Sequence, residues 1–213
     1  MRRGKTRTLG IAMERGEDTE GLNIALNEAT LLGLEVDPSR RLEGGTFAVL
    51  SLPESGELPT DRRVQVLFVN VGRVAATLTE PDQPRAVPIP TEQLLDAVQS
   101  FGGRAIYGWE FFDIKDNPLQ SPGAGKSLDI EFDDGSKAHS INLFQEDGQE
   151  GGRRLDVCIW FEGLALLTPD GNEVDVEEFI AGGRRWWDAL HEHDPRTQGH
   201  GLFSMAPKPK SDA

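Results

Sequence analysis

One cysteine, one tyrosine and four histidines among 213 residues leave few of the groups on which familiar enzyme sites are built. A single thiol, Cys158, excludes an intramolecular disulfide framework and fits a reducing compartment. No stretch approaches the ~18 apolar residues of a membrane span. The basic opening, MRRGKTRT, is not followed by the apolar core of a secretory leader. The expectation is a cytoplasmic protein with no membrane partner. Positive charge is also scarce, with 22 Lys and Arg against 36 Asp and Glu, a formal net charge of −14. Four of those cations (Arg2, Arg3, Lys5 and Arg7) fall in the first eight residues, which contain no acid. The rest of the chain is therefore more acidic still, and a surface of that sign repels phosphate backbones. This argues against a nucleic-acid partner.

What is present is a soluble globular composition, 37% hydrophobic, long enough for a real core. Residues 1–8 and the Pro/Lys/Ser-rich stretch 204–213 read as disordered tails around a domain at 9–203. Leu22, Ala25, Leu26 and Ala29 suit a short helix. Thr30 to Leu52 reads as a hairpin turning over Pro38–Gly45, and residues 64–70 and 73–79 as a second pair of strands around Val71–Gly72. EPDQPRAVPIP, with four prolines, is a rigid connection and not a central strand. TEQLLDAVQSFGG is a helix: Leu94, Leu95, Val98 and Phe101 share a face, and Gly102–Gly103 ends it.

RAIYGWEFFDI reads as an aromatic strand. SLDIEFDDGSKAHSINLF reads as a hairpin turning at Asp134–Gly135, which pairs Ile130 with His139 and Leu128 with Ile141. RRLDVCIWFEG is apolar on both faces and belongs in the middle of a sheet. A last helix spans about 176–190, with Asp175 and Glu178 in a capping arrangement. The order strand end, Thr/Pro turn, capped helix occurs twice, which suggests two related halves at about 29–103 and 104–190. The fold expected is α+β: a largely antiparallel sheet of about seven or eight strands with two main helices on it.

Several motifs tempt. SPGAGKS imitates a phosphate-binding loop, but Gln120 stands where its first glycine belongs and a strand follows it. Cys158 sits mid-strand between Val157 and Ile159, the setting of a small buried hydrophobe. Glu110, Asp113, Glu131 and Asp133 read as the solvated side of a sheet. His139, beside Ile130 and Ile141, reads as a hydrogen-bonded histidine at the edge of the core. In HEHDPRTQGHGLF, His191, His193 and His200 could bind zinc or another divalent metal, with Glu192 or Asp194 completing the shell. The spacing matches no metal signature, and Pro195, Gly199 and Gly201 make the segment loop-like. The aromatics carry more: Trp109, Trp160, Trp186 and Trp187, with Arg184 and Arg185, form a candidate binding patch, because Trp and Arg dominate binding hot spots.

YGWEFFD at 107–113, FIAGGRRWWDAL at 179–190 and DPRTQGHG at 194–201 resemble a family of uncharacterised actinobacterial proteins, over most of the chain from about Glu28 to Leu202. The resemblance implies a bacterial, cytosolic setting and no catalytic residues. The function expected is a non-catalytic accessory or binding module for a protein or small-molecule partner, with a metal-dependent hydrolase using the C-terminal histidines as the alternative. In the last helix Gly183 is expected to face the sheet and Gly182 to lie nearer solvent, with Trp186 or Trp187 covering the strand of Cys158 and Trp160.

Overall fold

Alternating burial builds most of this protein. In β3 (Leu42–Ala48) Glu43, Gly45 and Phe47 point inward, and in β4 (Arg63–Val69) Val64, Val66 and Phe68 do the same. A computed structural model describes residues 11–12, 17–54, 61–83, 85–106, 108, 110–115, 130–131, 137–147 and 152–198. Its remaining strands are β1 (Ile11–Ala12), β2 (Thr30–Asp37), β5 (Arg73–Thr79), β6 (Val87–Pro88), β7 (Ile130–Glu131), β8 (His139–Glu146), β9 (Arg154–Phe161), β10 (Gly163–Leu167) and β11 (Glu173–Val174). The helices are α1 (Glu17–Leu26), α2 (Leu94–Ser100, entered by a 3₁₀ turn at Thr91–Gln93) and α3 (Val176–His191). The class is the expected one, α+β with antiparallel strands.

The strands divide into two sheets. One runs β1-β10-β4-β3-β2 with β11 on β10, and the other β6-β5-β9-β8 with β7 on β5. The strands expected at 64–70 and 73–79 are therefore not the hairpin that the sequence suggested. β4 and β5 lie in different sheets, and the chain crosses between them at Asn70–Gly72. β9 and β10 cross in the opposite direction at Glu162. Because β4 pairs with β10 and β5 with β9, two long antiparallel strands run through both sheets and bend together. Val69 faces Gly163 and Arg73 faces Trp160, so three residues oppose two at the bend, the signature of a bulge. Gly72 N–H donates to Trp160 O at 2.9 Å and Glu162 N–H to Val69 O at 3.1 Å. Arg41 pins the corner from the β2–β3 turn: Val71 N–H donates to its carbonyl at 2.9 Å, and its Nε donates back to Val71 O at 3.1 Å.

The same order of elements occurs twice within the two suspected halves. β3 pairs with β4, which crosses to β5; β6 folds back on β5 and leads into α2. β8 pairs with β9, which crosses to β10; β11 folds back on β10 and leads into α3. Phe68 of one unit and Phe161 of the other meet at 4.9 Å in a core that draws side chains from Leu22 through Ile180.

Two local readings need correction. β7 pairs with β5, Ile130 facing Val74 and Glu131 facing Arg73, so Ile130 is not the partner of His139. The turn proposed at Asp134–Gly135 lies outside the described residues. The aromatic stretch from Arg104 is irregular: among the described residues its β-pairing is limited to the single bridges Thr30–Ala105 and Phe112–Ile141. Asp113 breaks it with a left-handed backbone, φ 53°. β9 is central as expected, flanked by β5 and β8, and Cys158 is fully buried in it.

Candidate functional site

The aromatic and arginine residues of the last helix are used inside the protein. α3 begins at an Asp175 cap, whose carboxylate accepts Glu178 N–H at 3.0 Å, and packs along α1. Trp186 is 0% exposed, in a cluster with Leu50, Leu52 and Ala189. Trp187 is half-buried, and its indole N–H donates to Ile24 O of α1 at 3.1 Å. Arg185 donates from Nε to Leu52 O at 2.9 Å and pairs with Glu178. Arg184 alone of this group is exposed. Trp160 belongs to a separate cluster, with Ala75 and Cys158, under the Arg73 guanidinium 4.8 Å from its ring centroid. Trp109 lies outside the described residues. The candidate patch is thus not one surface, and neither Trp186 nor Trp187 covers the strand of Trp160.

The glycine pair is also placed differently. A methyl on Gly183 would lie 2.6 Å from Ala25 Cα of α1, so this glycine faces a helix and not the sheet. Gly182 is buried, not near solvent: a methyl there would strike the Ser51 hydroxyl, and Leu52 N–H donates to Gly182 O at 3.0 Å.

The histidine-rich stretch ends the helix. Asp194 N–H donates to Ala189 O at 2.8 Å and His193 N–H to Leu190 O at 3.1 Å, with His193 at φ 60°. Those two bonds and that backbone are a Schellman stop with histidine in the position usually given to glycine. His191 Nδ1 lies 2.7 Å from Trp187 O. Asp194 is engaged by Arg196, whose guanidinium and N–H hold its carboxyl below the ordinary range. His191 and His193 are both exposed, and His200 lies outside the described residues. Among the described residues no three His, Cys, Asp or Glu converge as metal ligands.

The bend between the sheets gathers titratable groups that the sequence scatters. His139 is 3% exposed, with Nδ1 3.0 Å from Asp113 Oδ2, while Asp113 Oδ1 accepts Ser140 N–H at 2.8 Å. Lys137 Nζ lies 3.8 Å from Glu162 Oε1. Sequence reasoning left Asp113 without a partner because it placed both residues in regular strands. Its left-handed turn is what brings the carboxylate onto the histidine. With the ring enclosed against Phe161, this pair is a clamp on the edge of β8. Facing Phe68 across the β3–β4 ladder, Glu43 is 0% exposed, and among the described residues neither carboxylate oxygen is hydrogen-bonded. Burial pushes its acid well above the usual range.

An accessible concavity lies elsewhere, in a part the sequence marked only as a proline-rich connection. An open groove of about 660 Å³ runs between the β5–β6 turn and α2. Leu78, Val87, Ile89 and Ala97 supply its apolar side; Glu80, Asp96 and Arg153 supply its charge. Val87 is 49% exposed, the one large apolar side chain so exposed among the described residues. Glu80 holds Arg153 Nε with both oxygens at 3.1 Å, and Arg153 also lies 5.1 Å over the Phe101 ring. The prolines shape this place: Pro88 sits on the outer edge of β6, Ile89 N–H still donates to Ala76 O at 3.2 Å, and the chain leaves the sheet at Pro90, just before the 3₁₀ turn that enters α2. The signal that could have found it is a valine set among prolines where solvation alone would favour a polar residue. Comparison with protein-family models, with curated proteins and with solved structures finds no match.

Proposed function

We propose that this protein is a non-catalytic, cytoplasmic binding module whose ligand sits in the groove between the β5–β6 turn and α2. The observation that carries the reading is the coincidence there of an exposed apolar side chain, Val87, with a concavity of about 660 Å³. That volume falls within the roughly 300–1,000 Å³ of ordinary ligand sites. An apolar wall orients nothing by itself, and the Glu80–Arg153 pair and Asp96 supply the directional contacts.

A thermal-shift screen of metabolites, peptides and metal ions tests the proposal. Ligands that raise the unfolding temperature of the wild type should lose that effect in Val87→Ser and in Ala97→Trp. If every stabilising compound works equally well on both variants, the groove is not the site. Elemental analysis of purified protein belongs beside it. A stoichiometric metal that disappears with His193→Ala would favour the hydrolase reading instead.

A further inference from the structure

α2 and α3 close matching units. Counted from Thr91 and Val176, where the two helical segments begin, Leu94 and Val98 fall on Phe179 and Gly183, and all four are buried. The same count sets Ala97 on Gly182 and Ser100 on Arg185. On α3 that face is taken by the chain's own non-helical segment Leu50–Leu52. Leu52 donates its N–H to Gly182 O at 3.0 Å and accepts Arg185 Nε at 2.9 Å. On α2 the matching face lines the groove. There Ala97 O accepts the Ser100 hydroxyl at 2.6 Å, a side-chain donor in the place where Gly182 O takes a peptide N–H. Arg153 is held by Glu80 as Arg185 is held by Glu178.

We propose that the groove docks a non-helical segment of a protein partner, with an aliphatic side chain seated between Val87 and Ala97 and a lysine or arginine beside it. This rests on reading the groove as the ligand site and names what fills it. The internal precedent supplies the mode: a short segment laid on a helix face and bonded through its peptide groups. Strand addition is ruled out on the β6 edge, because Pro88 has no N–H to offer a neighbour. Charge supplies the specificity. Arg153 is already matched by Glu80, Asp96 adds a negative charge, and the whole chain stands at −14.

Two fluorescein-labelled peptides test it, each carrying this chain's own sequence from Ala48 to Pro53, one flanked by lysines and the other by glutamates. In polarisation titrations with the full chain, the lysine peptide should bind roughly tenfold tighter, with the difference shrinking as salt is raised. Val87→Ser should weaken it several-fold, and Ala97→Trp should abolish it. Val87 is exposed, so its variant stays informative if Ala97→Trp fails to fold. Equal affinity for the two peptides, or affinity untouched by Val87→Ser, overturns the proposal. A fragment titration followed by NMR separates this from the broader reading. Fragments that shift Val87 and Ala97 resonances while neither peptide does would sink the peptide proposal and leave the groove a ligand site. No shift with any probe would sink both.

Discussion

The matched faces of α2 and α3 end in opposite states. α3 is covered: α1 lies against Gly183, Leu50–Leu52 lies against Gly182, and Trp186 is sealed beneath. α2 keeps a seven-residue helix on β2 and leaves its other side open as the groove. The inner faces of the sheets repeat the contrast. Glu43 faces Phe68 across one ladder and His139 faces Phe161 across the other. His139 has Asp113, while Glu43 is buried with no hydrogen bond among the described residues. In both comparisons the second unit is completed by segments of the same chain, and among the described residues the first is not. Repeated architecture thus does not imply repeated chemistry: what each copy does depends on which segments reach it.

The largest effect should come from closing the α1–α3 contact. Gly183→Leu would drive a side chain into the Ala25 backbone, which has no rotamer by which to retreat. Overpacking typically costs ~1–3 kcal/mol, and this contact with backbone belongs at or above the top of that range. Chemical denaturation should show a large drop in midpoint, or failure to fold. A near-wild-type midpoint would mean that the two helices are not held at this distance.

Next is Glu43, where the sign reverses. Glu43→Met removes a buried acid that has no hydrogen-bond partner among the described residues, at nearly constant volume, and should stabilise by ~1–3 kcal/mol near neutral pH. The pH dependence follows from the direction of the shift. A folded-state acid held above its ordinary value keeps its proton while the unfolded chain loses it, so the stability this group contributes is whole below about pH 4.5 and declines as pH rises towards the folded value. The gain from Glu43→Met should therefore be larger at pH 8 than at pH 5. A pH-independent gain would mean that the carboxyl is ionised in the fold.

Gly182 and Ala97 test the comparison of faces directly. Gly182→Ala meets the Ser51 hydroxyl, which can rotate away, so a loss of ~1 kcal/mol is expected. The double variant with Ser51→Ala should recover most of it. Ala97→Leu, at the matching place beside open space, should change stability by less than ~0.5 kcal/mol. If Ala97→Leu costs more than Gly182→Ala, the α2 face is not the emptier one.

The smallest effect concerns the helix ends. α2 stops at Gly102, φ 64°, and α3 at His193, φ 60°. Glycine adopts this backbone freely and histidine does so under strain, so His193→Gly should be neutral or stabilise by up to ~1 kcal/mol. A marked loss of stability, together with a lost metal signal, would restore His193 as a ligand.

Much of the fold was legible locally. The capped helix from Asp175, the apolar stripe of Leu94, Val98 and Phe101, and the two-faced burial of β9 are periodic signals within a few residues of chain. Less of the site was. The tryptophans and arginines of α3 read as a surface because the sequence does not reveal that α1 and Leu50–Leu52 cover them. Val71–Gly72 read as a hairpin turn because a crossing between sheets and a reversal use the same short, glycine-bearing link.

By itself, then, the sequence determined the class of fold, the type of most elements and which face of each is buried, since alternation and helical spacing follow from backbone geometry alone. Only the tertiary structure decided which strand lies beside which, that Asp113 reaches His139 through a left-handed turn, that Glu43 has no such partner among the described residues, and that one helix face is filled while its counterpart stays open. Each of these depends on segments tens of residues apart meeting in space, and no local pattern of side chains encodes the identity of a distant neighbour.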